Sequence, residues 1–192
     1  MRDNEEYKKK LREMLTPKRF EHSIGTAQTA ARLAELNGED RDRAYLAGLL
    51  HDAGKNFSHE RMLEMCEEYG IELDEISRTS TGLIHAPLGA EIVRREFNID
   101  DEEILESIRR HTVGGENMTV FEKIIYISDM TEPGRSFDGV EKIREAAFKN
   151  LDEGMLMGFD MTIIHSVKKR RCQHPATIYA RNELIKKMAG QV

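Results

Sequence analysis

Residues Ala44 to Lys55 read Ala-Tyr-Leu-Ala-Gly-Leu-Leu-His-Asp-Ala-Gly-Lys, an apolar run that ends on a histidine beside an aspartate. Ala44, Leu46, Ala47, Leu49 and Leu50 are dense enough for a helix at the centre of a core. Asp40 is placed to cap its start, and Gly54, just past His51-Asp52, is expected to end it. The pair therefore falls at a helix C-terminus. An imidazole nitrogen and a carboxylate oxygen delivered together from apolar surroundings suit a divalent cation.

The same period continues outward in both directions. Thr16-Pro17 supplies a polar cap and a proline at the first helical position, and Phe20, Ile24, Ala27, Ala31 and Leu36 follow until Asn37-Gly38. His22 then lies in the second turn. Ser58 is expected to begin a helix closing at Gly70, Pro87 to open one reaching Phe97, and Asp100 to cap one carrying Ile104, Leu105 and Ile108 toward His111. Thr119-Val120-Phe121-Glu122 fits a capping box, which puts Asp129 near the end of a buried helix. Pro133-Gly134 turns the chain, further helices are expected over about 140–149 and 152–171, and Pro175 opens the last. Strand alternation and repeats are missing, so the expected fold is all-α, a compact multi-helix bundle forming one domain over residues 1–192.

The chain has 192 residues, and its 39% hydrophobic content is spread in short runs. None approaches the roughly 18 residues of a membrane span, and the N-terminus Met-Arg-Asp-Asn-Glu-Glu has no apolar signal region. A cytoplasmic protein is expected, with no membrane partner. Cys66 and Cys172 lack metal-type spacing and read as reduced bystanders. A net charge of -6 argues against DNA or RNA, whose binding rests on neutralising many phosphates. The basic run Lys168-Lys169-Arg170-Arg171 reads as a solvated helix end.

His22 and Asp129 carry the same donor chemistry as His51 and Asp52. Together they suit iron, manganese, cobalt or magnesium, and the lack of thiolate disfavours structural zinc. Four protein ligands leave a six-coordinate ion room for water and a phosphate oxygen. Such an ion lowers the water's pKa from about 15.7 toward 7 and draws charge from phosphorus, which is the chemistry of phosphoanhydride hydrolysis.

His22, His51-Asp52 and Asp129, in that order, resemble the ligand set of the HD superfamily of metal-dependent phosphohydrolases. Lys18-Arg19-Phe20-Glu21-His22-Ser23, Ala47 to Asp52, Arg110-His111-Thr112, Glu122 to Asp129 and Glu132-Pro133-Gly134-Arg135 are similar to the bacterial YqeK group of symmetrical bis(5'-nucleosyl)-tetraphosphatases. The likeness extends to His174-Pro175 and Arg181-Asn182. It implies hydrolysis of diadenosine tetraphosphate to two ADP, a bound iron, an all-helical fold and a homodimer. Members often carry a bulky residue and alanine where this chain has Ala53-Gly54, and asparagine in place of Gly134. Those departures bear on the shape of the phosphate pocket.

Other side chains take roles beside these. His85, ahead of Ala86-Pro87, is expected at a helix N-terminus for phosphate contact or proton donation. By the resemblance His111 contacts the polyphosphate, with Thr112 beside it. Lys55 offers a point charge, Arg135 bidentate contact, and Arg19 shares a helix face with His22. Ala53 and Gly54 shape the phosphate pocket, and His174 with its basic neighbours frames a nucleotide. The expected catalytic set is Asp52, Lys55, His85 and His111. Alternatives are another phosphohydrolase acting on a nucleoside monophosphate, a deoxynucleoside triphosphate or a guanosine alarmone, or a nucleotide-sensing module with slow turnover. No Gly-Tyr-Pro motif points to cyclic dinucleotides.

Overall fold

Thr16 accepts from the Arg19 N–H ahead of Pro17, and Gly38 closes the same helix with φ 76°, a left-handed conformation open to glycine. A computed structural model of the protein describes residues 2–190, which hold ten α-helices and no strand. These are α1 (Arg2–Met14), α2 (Pro17–Asn37), α3 (Arg41–Leu50), α4 (His59–Tyr69), α5 (Thr81–Phe97), α6 (Glu102–Arg110), α7 (Val120–Thr131), α8 (Val140–Lys149), α9 (Leu151–Lys168) and α10 (Pro175–Met188). The fold is all-α. None of the helices is long and apolar enough to cross a membrane.

Helix α7 is the centre. Phe121, Ile124, Ile125, Tyr126 and Ile127 are all buried, and α2, α3, α6, α8 and α9 pack around it. Burying each large side chain is worth about 1.5–3 kcal/mol, so residues on every face fix α7 in place. Its start is held by the expected capping box, Thr119 accepting from the Glu122 N–H while Glu122 accepts from the Thr119 N–H. Asp129 is thus carried to a fixed position at the end of α7.

Helices α2 and α3 cross closely at Gly48. A Cβ there would lie 2.9 Å from Ala27 Cα, nearer than real Cβ atoms come to backbone. This glycine lets the second and third turns of α2 lie against the end of α3, bringing His22 beside His51.

Several boundaries differ from the sequence expectation. Helix α5 starts six residues before Pro87, capped by Ser80, whose hydroxyl accepts from the Gly82 N–H at 3.1 Å. Pro87 thus lies inside the helix and leaves the Leu83 carbonyl without its donor, a cost of about 3 kcal/mol offset by burial of Ile84, Leu88 and Ile92. His85 is consequently in the second turn, so the dipole argument for an anion at it falls. Asp101, not Asp100, caps α6, accepting from the Glu103 and Ile104 N–H groups. Helix α3 ends at Leu50 with His51 still right-handed. Gly54 is no left-handed cap: a Cβ on it would come within 2.5 Å of the His85 carbonyl oxygen and 2.8 Å of Gly89 N. Its role is close approach to α5. Leu36, expected on the apolar face of α2, is 62% exposed, and Leu33 and Ala34 are buried instead.

Candidate metal centre and phosphate pocket

Three distant stretches meet in one place. His22 Nε2 is 2.9 Å from Asp129 Oδ1 and 3.8 Å from Asp52 Oδ2. His51 Nε2 lies 3.5 Å from Asp52 Oδ2 and 3.6 Å from Asp129 Oδ1. All four side chains named from the sequence therefore converge.

Each imidazole is oriented from behind. The His51 Nδ1–H donates to the Gly48 carbonyl at 2.7 Å, so the end of α3 aims Nε2 inward. His22 Nδ1 donates to Glu132 Oε1 at 3.1 Å. Glu132 is in turn fixed by the Gly134 N–H, which donates to its Oε2 at 2.6 Å, and a Cβ at Gly25 would intrude within 2.4 Å of that oxygen. Glu132 was not singled out from the sequence, although its place three residues after Asp129 in Glu-Pro-Gly-Arg was a usable sign. Outer partners of this kind set the ligand tautomer and raise its basicity.

The orphan in this cluster tests what it can hold. His51 Nε2 is fully buried with no hydrogen-bond partner, and with Nδ1 donating it carries a lone pair toward two carboxylates. Only a positive species satisfies all of these acceptors. Burial presses the His51 pKa down, but the Asp52 and Asp129 charges outweigh it and the net shift is upward. Burial opposes ionisation of Asp52 and Asp129 too, yet His51, His85 and Lys55 around Asp52, and His22, His51 and Arg135 around Asp129, hold both well below the usual carboxylate range. Two imidazoles and two ionised carboxylates fit a borderline or hard divalent metal.

Basic side chains surround the carboxylates. Arg19 donates to Asp52 Oδ2 at 2.8 Å, Arg135 Nε to the Asp129 carbonyl at 2.7 Å, and Arg135 Nη2 to Asp129 Oδ1. Lys55 Nζ is 3.9 Å from Asp52 Oδ1, and burial lowers its pKa. The two further histidines lie deeper. His85 Nε2 is 3.2 Å from Asp52 Oδ1 and 3.0 Å from His111 Nε2, while His111 Nδ1 donates to the Ile108 carbonyl at 2.6 Å. Burial lowers the His85 pKa, and burial together with the other imidazoles takes His111 down to about 3. Lys55 Nζ lies 3.2 Å from both ring nitrogens of His85, and Nδ1 also faces the Thr81 carbonyl at 3.1 Å. Either nitrogen of His85 can thus carry its proton.

Arg19, Asp52, Lys55, His85, His111, Thr112, Asp129 and Arg135 all line one inner cavity of about 220 Å³. Ala53 is buried behind it and Gly54 packs on α5. His174 is not brought here: it caps α10, its Nδ1 accepting from the Ala176 N–H, and its Nε2 is 3.1 Å from Asp74. The basic run ends α9 exposed, as expected.

This architecture and donor set are those of a metal-dependent phosphohydrolase of the HD type. The HD domain family profile matches residues 19–134, and the chain belongs to that family. It is 39% identical over 171 residues, 89% of this chain and 91% of the other, to the symmetrical bis(5'-nucleosyl)-tetraphosphatase of Halalkalibacterium halodurans. With the enzyme of the same name from Bacillus subtilis it shares 34% identity, covering 91% and 94% of the two chains. A solved structure from Clostridium acetobutylicum, described as a predicted HD superfamily hydrolase involved in NAD metabolism, superposes with a TM-score of 0.92 at 40% identity, covering 96% of this chain and 97% of that one.

Proposed function

We propose that the protein is a metal-dependent hydrolase that cuts diadenosine tetraphosphate at its central phosphoanhydride to give two ADP. The observation that carries the chemistry is the His51 Nε2 lone pair, buried without a partner and facing two ionised carboxylates. The near full-length likeness to two symmetrical bis(5'-nucleosyl)-tetraphosphatases carries the substrate.

His22, His51, Asp52 and Asp129 are the metal ligands in this reading. A divalent cation there supplies Lewis acidity, acidifying a water and drawing electron density from phosphorus. Iron is the resident metal, a choice resting on the His/Asp donor set and on the resemblance, with manganese, cobalt and magnesium as substitutes. Arg19 and Arg135 meet the phosphate oxygens with planar forks, and Lys55 adds a point charge. His85, able to hold its proton on either nitrogen, donates to the leaving phosphate oxygen and is recharged through Lys55. His111 stays neutral and holds the His85 ring in place, with Thr112 as a further phosphate contact. In net terms, the oxygen of water joins one central phosphorus and the bridging oxygen leaves with the other.

The reading extends to a homodimer acting in the cytoplasm from one domain, without nucleic acid or membrane as partner. Support comes from the exposed Ile164, Val167 and Tyr179 on α9 and α10, and from the net charge of -6. Ion-exchange separation of products after incubation with diadenosine tetraphosphate and an iron(II) or manganese salt tests the function. ADP as the sole nucleotide product is expected; ATP with AMP, or no cleavage, contradicts it.

A further inference from the structure

We infer that the cleft between α2 and the turn at 132–137 binds the second nucleoside of the dinucleotide, so that the two halves of a symmetrical substrate occupy unlike sites. This rests on the proposed function. Scission at the central anhydride leaves two phosphates and a nucleoside on each side of the reacting centre. The protein must therefore offer room on both sides of the ligand cluster, and it has two cavities there. The inner one has Asp52 and Asp129 in its wall; the outer cleft, about 1000 Å³, has His22 in its wall, and Arg19 and Arg135 belong to both.

The chemistry changes beyond those shared arginines. The inner cavity continues into His85 and His111 and on to Tyr126, Met130 and Thr162, a polar space of about 220 Å³ that opens to solvent as the cleft does. The cleft continues past the arginines to Glu21, Gln28 and Phe137, and its volume is at the upper end of the range of about 300–1000 Å³ typical of small-molecule sites. Phe137 is half-buried and packed on the core, so its ring is held for stacking. Glu21 and Gln28, two turns apart on one face of α2, offer an acceptor and an amide to sugar hydroxyls or a base edge. Lys18 in the same wall offsets the Glu21 charge, so the net cationic pull on phosphate stays at the two shared arginines. The cleft is thus built for the neutral end of a nucleotide, with its phosphates kept at the arginines.

Diadenosine tetraphosphate must fill both sites, whereas adenosine 5'-tetraphosphate has one nucleoside and can bind with either site empty, so loss of the cleft still leaves it the inner one. The test compares the KM for the first with the inhibition constant of the second against that reaction, in the wild type, Phe137→Ala and Gln28→Trp. Gln28 is exposed, so tryptophan there fills the cleft without touching the core. The expected result is a KM for diadenosine tetraphosphate raised about tenfold in Phe137→Ala, the size of one lost base–aromatic stack, and raised in Gln28→Trp by obstruction, with a clearly smaller rise in the inhibition constant for both. Equal changes for the two compounds, or none, overturn the assignment. A wild-type protein that does not cut diadenosine tetraphosphate at its centre instead overturns the function on which it rests.

Discussion

Two pairs of histidines lie within one cluster and face opposite surroundings. His22 and His51 each donate Nδ1–H to a fixed acceptor, Glu132 and the Gly48 carbonyl, and turn Nε2 toward Asp52 and Asp129. His85 and His111 are buried and face one another at 3.0 Å, and both have lowered pKa values. Carboxylates in front of an imidazole favour a positive charge on it; imidazoles in front of an imidazole forbid one. In the proposed reading one residue type would hold a cation on one side of Asp52 and carry a proton on the other.

The largest effect that sharpens this contrast comes from replacing one member of each pair. His51→Ala is expected to lose both bound metal and hydrolysis, whereas His85→Ala keeps the metal and loses turnover by about 10²–10⁴, the range for one general acid. Metal content by plasma mass spectrometry, set beside kcat, reads the difference. Equal metal loss in both variants would break the comparison, since both pairs would then be ligands.

Glu132→Gln comes next, because it weakens the partner of His22 while sparing every direct ligand. Metal affinity should drop by about 10–100-fold, as for other outer partners, with Thr112→Val, in the cavity wall on the phosphate side, showing a raised KM at unchanged affinity for metal. Equilibrium dialysis with manganese distinguishes the two. A Glu132→Gln protein that binds metal like the wild type would show that His22 needs no orienting group.

Gly54→Ala probes the backbone on which both pairs depend. Its methyl would press on the His85 carbonyl and Gly89, costing about 1–3 kcal/mol of stability as overpacking does. Thermal unfolding should reveal it, accompanied by reduced kcat as α5 and His85 shift away from Asp52. Unchanged melting would mean that the turn and α5 yield freely.

The smallest effect lies outside the site and serves as its electrostatic reference. Arg43 beside Asp101 holds that carboxyl below its usual range. A lowered folded-state pKa contributes stability above the unfolded value near 4, and that stability is lost as pH falls through the folded value. Because both side chains are about one-third exposed, only about 0.2–1 kcal/mol is expected. Asp101→Asn preserves an N-cap and removes the charge. Its stability deficit in urea titrations should be present at pH 7 and shrink toward pH 3; a deficit that grows on acidification contradicts the sign.

The His/Asp cluster was legible because its residues combine rare chemistry with helix punctuation that a sequence displays. Thr16-Pro17, Asp40, Ser58 and the Thr119 capping box all fall where expected, and they carry His22, His51 and Asp129 to one point. What escaped was set by tertiary contact. Helix α1 was missed since its Tyr7, Leu11 and Met14 are diluted by charge, although Leu11 is fully buried. Pro87 looked like a helix start because its lost hydrogen bond is offset only by packing around α5. Gly54 looked like a stop because its true constraint, the approach of α5, lies thirty residues away in sequence. His174 sits beside a basic run but caps α10 and meets Asp74, a partner one hundred residues distant. Glu132 needed the fold to bring it behind His22.

Anomalous diffraction at the metal edge, from crystals loaded with iron or manganese, tests the central claim most directly. A single peak among His22 Nε2, His51 Nε2, Asp52 and Asp129 is predicted. A peak between His85 and His111, or none at the cluster, would contradict the account.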